Sequence, residues 1–278
     1  MIISVILPTR CRPIQAKKFL ESLYINSHQP DQVELIICID DDDDSYNNFH
    51  TYFEKTIILR SPRTGMGQIT YEGICKSKGE IILLCNDDVI VKTKGWDDEF
   101  RKIHRFFPDH IYLMSPNDEN KSNSLFVFPT FSRKLFNLLC DYPRIYKGAF
   151  IDTHLHEIFK SLKYKGHDRI VFLEHIRFTH NHFRVTGEKP DKTYLDRKRF
   201  GDDRNFLCTV QQRITETEVI LSVINGEEKL KKYENLTLTP LQSIFRYLFS
   251  NYLPLNYRIH ILIYLMARNI YKVLKNEN

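Results

Sequence analysis

Unbroken apolar runs alternate with helically spaced ones along the first ninety residues of the chain. Ile2 to Leu7 is a β-branched run stopped by Pro8, and Glu34 to Ile39 (ELIICI) is a second. Thr56 to Leu59 and Ile81 to Leu84 supply two more. Runs of this kind, with no polar alternation, predict strands buried on both faces. Pro13 opens a helical stretch in which Phe19, Leu20, Leu23 and Tyr24 share a face. Gln68 to Lys78 is a second helix, with Gly79 at the place of a C-terminal cap. Strands separated by helices predict an α/β fold built on a mostly parallel sheet with helices over both faces.

Beyond Trp96 the pattern loosens. His110 to Ser115 and Ser124 to Phe128 have strand character, and Asp152 to Lys165 is a helix with Leu155, Ile158, Phe159 and Leu162 on one side. Arg169 to Leu173 and His175 to Phe178 are short apolar pieces leading into His180-Asn181-His182. Tyr194 to about Arg213 is densely charged with helically spaced aromatics, and Leu241 to Lys275 is a pair of apolar helical segments broken at Pro254. No internal repeat or low-complexity linker interrupts the chain.

Composition narrows the picture only slightly. With 278 residues, 42% hydrophobic and 27% charged, the chain is globular and can bury a sizeable core. A net charge of +5 suits a phosphate-bearing partner, but the charge is too dispersed for a nucleic-acid interface. The six cysteines include no CxxC pair, which predicts reduced thiols and a cytoplasmic protein. The opening MIISVILPTR reads as a first strand and not as a signal peptide, and no stretch reaches the length of a membrane span.

In a parallel sheet, ligands sit outside the carboxyl ends of the strands. Pro8-Thr9-Arg10, Asp40 and Asn86-Asp87-Asp88 all fall at such ends. Adjacent carboxylates repel unless a cation compensates. Hard oxygen ligands that leave room for phosphate suit Mg²⁺ or Mn²⁺. Asp40 ends its strand at the rim, where a carboxylate can accept hydrogen bonds from a ribose hydroxyl or a base N–H. Asp42 to Asp44 read as a solvated acidic loop. Arg63 is a candidate counter-charge for a diphosphate, and Thr64-Gly65-Met66-Gly67 a weaker candidate for backbone contact with phosphate at a helix start. His180 and His182 are spaced to lie on one side of an extended chain, and either can add an imidazole to a cation at Asp88. His154 and His156 read as surface or packing histidines. Asp152, at a helix start, is a cap or a general base.

With these residues placed, the chain resembles the inverting, family-2 type of glycosyltransferase with the GT-A fold, over roughly Ile2 to Tyr194. SVILPTR is similar to the family's opening strand and turn, and ICIDDDD to its second strand ending in a nucleotide-binding aspartate. RTGMGQITYEGICKSKGEIILLCNDDV resembles the stretch leading to its metal-binding aspartates. GAFIDTHLHEIFKSLKYKGHDRIVFL resembles the helix bearing its catalytic base, and FTHNH the histidine completing its metal site. HNHFRVTGEKPDKTY is also similar to a segment of phage-type relatives.

The resemblance implies a catalytic domain over 1–195 and a helical extension over 196–278. It implies a nucleotide-sugar donor, expected to be a UDP-sugar, and transfer to a hydroxyl acceptor with inversion. Pro8, Thr9, Arg10, Asp40, Arg63 and Asp87 would contact the nucleotide. Asp88 with His180 or His182 would hold the metal, and Asp152 would be the base. Cys85 stands where many members carry the first Asp of D-x-D, and Thr153 where an acidic pair is usual. A nucleotidyltransferase is the rival enzyme, disfavoured because Thr9 to Pro13 contains no glycine. A catalytically inactive binding module and a histidine–metal hydrolase are the others. For Tyr257 to Lys275 the expectation is a helix docked on protein, in preference to contact with a membrane.

Overall fold

The computed structural model describes residues 1–120, 125–139, 141–187, 189–195, 200–227 and 238–274. Ser124, Cys140 and Lys275, named above, lie outside the described residues. The elements in chain order are β1 (Ile3–Pro8), α1 (Pro13–Ile25), β2 (Val33–Asp40), β3 (Lys55–Ser61), α2 (Met66–Lys76), β4 (Ile81–Leu84) and β5 (Val89–Val91). Then come α3 (Trp96–Phe106), β6 (Leu113–Asn117), β7 (Thr130–Ser132), α4 (Arg133–Leu138), α5 (Ile151–Tyr164) and β8 (Ile170–His180). The short α6 (Phe183–Thr186) and α7 (Lys192–Leu195) precede α8 (Asp203–Cys208), α9 (Val210–Ile224), α10 (Pro240–Phe249) and α11 (Leu255–Leu274).

The described strands form one sheet in the order β3-β2-β1-β4-β7-β6-β8-β5. β1 to β4 are parallel, as their unbroken apolar runs require, with Ile3 opposite both Val33 and Ile81. β7 runs against β4 and β6, and β5 runs against β8, so the second half is mixed. Alternate residues of each strand feed opposite layers. Ile6, Ile36 and Ile82 join the layer under α5 and α9, while Val5, Leu35 and Leu83 join the layer under α1 and α3.

Several boundaries differ from the sequence expectation. Phe126 and Phe128 are buried outside any strand, and pairing falls instead on Thr130–Ser132, where Ile82 faces Phe131. The two apolar pieces before the histidines are one strand, β8, with a register irregularity opposite Pro116 and Asn117. α2 ends at Lys76 with Ser77 as its cap, and Gly79 is not a cap: a Cβ there would lie 2.4 Å from the Ser4 hydroxyl oxygen, which accepts the Gly79 N–H. α3 is a helix without an apolar stripe, because its buried side carries Asp97, Arg101 and His104 beside Trp96 and Phe100.

His154 and His156 are packing residues of the core and not surface histidines. His154 bridges the Tyr146 hydroxyl and Glu216 at 3.0 Å each, and His156 stacks on Phe126. Val210, Ile214 and Ile220 of α9 share one apolar cluster with Leu155, Ile158 and Leu162 of α5. Cys11, Cys38, Cys75, Cys85 and Cys208 are free thiols. Among the described residues no helix is long and apolar enough to cross a membrane.

Candidate active site

Three strand ends and one later segment meet at the carboxyl rim of the sheet. β1 delivers Thr9, whose backbone N–H bonds the Cys38 carbonyl at 2.9 Å and so locks the ends of β1 and β2 together. The Thr9 hydroxyl donates to Asp87 Oδ2 at 2.6 Å and contacts the Tyr46 hydroxyl at 2.6 Å. Arg12, at the cap of α1, reaches Asp87 Oδ1 at 3.1 Å and forks onto Asp191 with two bonds of 2.7 Å. Its guanidinium lies 4.2 Å over the ring of Tyr194.

Asp88 is held on two sides. The Tyr194 hydroxyl donates to Oδ2 at 2.6 Å, and His180 Nε2 lies 3.1 Å from Oδ1. β8 places His180 directly opposite Val89, one residue beyond Asp88, so strand register makes this juxtaposition. The next residue, Asn181, donates its backbone N–H to the Asp88 carbonyl at 2.8 Å. His182 turns its ring toward Tyr194, 4.8 Å between centroids, and Phe183, 4.5 Å.

The two adjacent carboxylates are driven apart electrostatically. Burial raises Asp87 to about 6 against the pull of Arg12 and Thr9. Burial also raises Asp88, but His180, Tyr194 and Arg12 outweigh it and bring the group down to about 2. Asp88 is therefore ionised well into the acid range, while Asp87 gives up its proton only as pH approaches neutrality.

The residues fit a divalent cation in one respect that can be measured. His180 Nε2 is buried and makes no hydrogen bond of good geometry, although a carboxylate oxygen lies 3.1 Å away. Two ligands at right angles around a small hard cation, each about 2.1 Å from it, are about 3.0 Å apart. The Asp88 Oδ1 and His180 Nε2 pair has that spacing. Among the described residues no group of three or more His, Cys, Asp or Glu has metal-holding geometry.

Arg10 binds Asp40 at 2.7 Å and also Asp42, and Arg63 stands 3.9 Å from Asp40. Burial raises the Asp40 carboxyl despite Arg10. Asp43 is not the solvated carboxylate its neighbours suggested. It is buried and accepts the N–H of Cys11 at 2.7 Å and that of Ser45 at 3.0 Å, pinning the loop after β2 to the loop after β1.

The start of α2 is closed to phosphate. Met66 and Gly67 donate their N–H groups to the carbonyls of Lys147 and Tyr146 at 3.1 and 2.8 Å. A Cβ on Gly67 would lie 2.6 Å from the Pro143 carbonyl oxygen, so the glycine serves a backbone–backbone contact. This contact sets the 143–150 loop and hence the start of α5. Phe150, in the left-handed region at φ 69°, is the cap of α5, and Asp152 sits one residue inside the helix. Its Oδ1 accepts the Thr153 N–H at 2.7 Å. Asp202 fixes the same turn by accepting the N–H groups of Lys147, Gly148 and Ala149 at 2.9 to 3.0 Å.

Sequence reasoning thus named Thr9, Asp87, Asp88 and His180, which the structure brings into one cluster with Arg12, Asp191 and Tyr194. The last three had been given no role. Arg12 was legible only as a basic residue in the first rim loop. Asp191 and Tyr194 lie in the HNHFRVTGEKPDKTY block, where nothing in spacing tells a rim contact from a charged turn.

No protein-family model matches the chain, and no curated protein matches it. Solved structures do. S. aureus TarS is similar with a TM-score of 0.51 and 13% identity over 88% of this chain, which spans 42% of the TarS chain. A structure of its 1–349 segment in complex with UDP-GlcNAc gives 0.51 and 12% over 88% of this chain and 70% of that one. The mannosyltransferase PcManGT from Pyrobaculum calidifontis, in complex with GDP-Man and Mn²⁺, gives 0.51 and 13% over 95% of this chain and 75% of that one. At such identities the likeness is one of fold. With its parallel half-sheet, its mixed second half and its acidic rim, the chain has the GT-A fold of these nucleotide-sugar enzymes.

Proposed function

We propose that the chain is a glycosyltransferase that takes a sugar from a nucleoside-diphosphate donor, with a divalent cation at Asp88, and passes it to a hydroxyl acceptor with inversion. The observation that carries this reading is the Asp88 Oδ1 and His180 Nε2 pair, 3.1 Å apart at the strand ends with the imidazole nitrogen shielded from solvent. The complexes of similarly folded proteins support it, since PcManGT was solved with GDP-Man and Mn²⁺ and the TarS segment with UDP-GlcNAc. We assign the catalytic unit to 1–195 and a helical extension to 196–278.

In this reading Asp88 and His180 hold Mn²⁺ or Mg²⁺, and His182 lines the same corner beside Tyr194. The cation supplies charge neutralisation for a leaving diphosphate. Tyr194, on the other oxygen of Asp88, orients the carboxylate, as outer partners of metal ligands do. Asp40, with Arg10 and Arg63 beside it, faces the nucleoside end, and Pro8 and Thr9 form the floor. Asp87 is tied to Thr9 and Arg12 and keeps Arg12 beside the phosphates. Asp152 accepts the proton of the acceptor hydroxyl, its carboxylate oriented by Thr153 in the first turn of α5. Such a base contributes ~10²–10⁴ in rate. Attack opposite the leaving group inverts the anomeric centre.

Titration calorimetry tests the reading directly. UDP or GDP is expected to bind with Mn²⁺ and to lose most of its affinity in chelator or in Asp88→Asn. Asp152→Asn is expected to keep that binding while turnover falls at least ~10²-fold. Equal affinity with and without cation would remove the metal from Asp88.

A further inference from the structure

Residues 189–195 lie across the acidic rim, although no strand pairing among the described residues ties them to the sheet and none of them joins either apolar cluster. Leu195, the last of them, is exposed. The contacts that seat this segment are polar. Asp191 accepts two bonds of 2.7 Å from Arg12, Thr193 donates its hydroxyl to the Arg10 carbonyl at 3.1 Å, and Tyr194 donates to Asp88 at 2.6 Å.

Arg12 is the node of this arrangement. It is 7% exposed, and a guanidinium taken so far out of water needs partners for its N–H groups. Asp87 takes one of them, on Nη1, at 3.1 Å. Asp191 takes Nε and Nη2, the edge that matches a carboxylate in two parallel bonds and so fixes the guanidinium plane. The Tyr194 ring lies beneath that group, 4.2 Å from its carbon to the ring centroid. Asp191 Oδ1, which accepts from Arg12 Nη2, also accepts the backbone N–H of Tyr194 at 3.1 Å. One oxygen therefore holds both the cation and the turn that bears the phenol. Without the fork, the ring and the backbone of Tyr194 each lose a support.

We infer that Asp191 is a positioning residue for the cation site: through Arg12 it seats 189–195 on the rim and keeps the Tyr194 phenol on Asp88. The inference rests on the transferase reading, in which Asp88 holds the cation. It adds a carboxylate that acts on that site only through other residues.

The test uses UDP as the probe and has two readouts. Calorimetry with Mn²⁺ is expected to show Asp191→Asn binding UDP about tenfold more weakly than wild type, the scale of losing an outer partner of a metal ligand, with metal-free binding little changed. The double variant with Tyr194→Phe is expected to bind no more weakly than Tyr194→Phe alone, since both changes act on one phenol. Hydrogen exchange on the metal-free protein is expected to quicken over 189–195 in Asp191→Asn and to stay unchanged in β1 to β4. Unaltered exchange in that segment overturns the inference. So does a Mn²⁺-dependent affinity equal to wild type, or a double variant whose losses multiply. Should Asp191→Asn melt well below wild type, Thr193→Val cuts a second tie of the same segment. It is expected to give a smaller loss in the same direction, and no loss from it overturns the inference. A wild type that binds UDP equally in chelator fails differently: it removes the cation from Asp88, and this role of Asp191 with it.

Discussion

At the scale of single residues, the proposed function rests on Asp88, and Tyr194 holds one of its two oxygens. With the phenol on Oδ2, the carboxylate turns Oδ1 toward His180. Tyr194→Phe keeps the ring under Arg12 and beside His182 but frees Oδ2 to rotate. Loss of an outer partner of this kind costs ~10–100-fold in metal affinity. Tyr194→Phe is therefore expected to weaken Mn²⁺-dependent nucleoside-diphosphate binding by about that factor, with little change in metal-free binding. Calorimetry at several Mn²⁺ concentrations checks this, and unchanged Mn²⁺ dependence would make Tyr194 only a packing residue. Asp88 and its neighbour were legible because they follow an unbroken apolar run. Tyr194 was not, because it lies more than a hundred residues away and meets Asp88 only through β8 and the turn after it.

At the scale of elements, the relation between α2 and α5 matters most. The glycines before and within α2 look like a phosphate loop, yet the carbonyls of Tyr146 and Lys147 already take the Gly67 and Met66 N–H groups. Their smallness is used for helix–loop contact, and sequence cannot distinguish the two uses of a glycine at a helix start. Gly67→Ala would push a methyl group into three carbonyl oxygens within 2.9 Å. A loss of about 1–3 kcal/mol is expected, as for other overpacked sites. The displaced loop leads into Asp152, so turnover is expected to fall more than donor affinity. Urea unfolding with paired kinetic and binding measurements separates the effects, and a stability equal to wild type would show that the loop yields freely. Asp202 fixes this turn, so the placement of Asp152 depends on residues beyond 195.

At the scale of the whole molecule, buried histidines tie stability to pH. Burial lowers His156 to about 3, aided by Lys160, and His104 to about 4, aided by the stacked His110 and by Arg105. Burial lowers His154 as well, against the pull of Glu216. A histidine whose folded pKa is depressed binds fewer protons folded than unfolded between that pKa and 6.5. Its stability is present above 6.5 and is lost as pH falls toward 4. The urea midpoint is expected to drop steadily over that window, and His156→Leu to flatten the drop, with on the order of 3 kcal/mol at stake for a group this buried. A limb identical in the variant would assign the acid sensitivity to carboxylates.

The sequence by itself determined the parallel half of the sheet, because strands buried on both faces must be written as unbroken apolar runs. It also determined the acidic rim, because polar residues that end such runs emerge at the strands' carboxyl ends. It gave no sight of α3, whose buried side is Asp97, Arg101 and His104, since a paired ionic face has no apolar period. Tertiary structure alone decided which histidine meets Asp88, because that follows from the register of β5 on β8. It alone showed that the stripe on α11 is divided between a side that packs inward and a side left open, since an apolar period records that a face is buried and not what buries it.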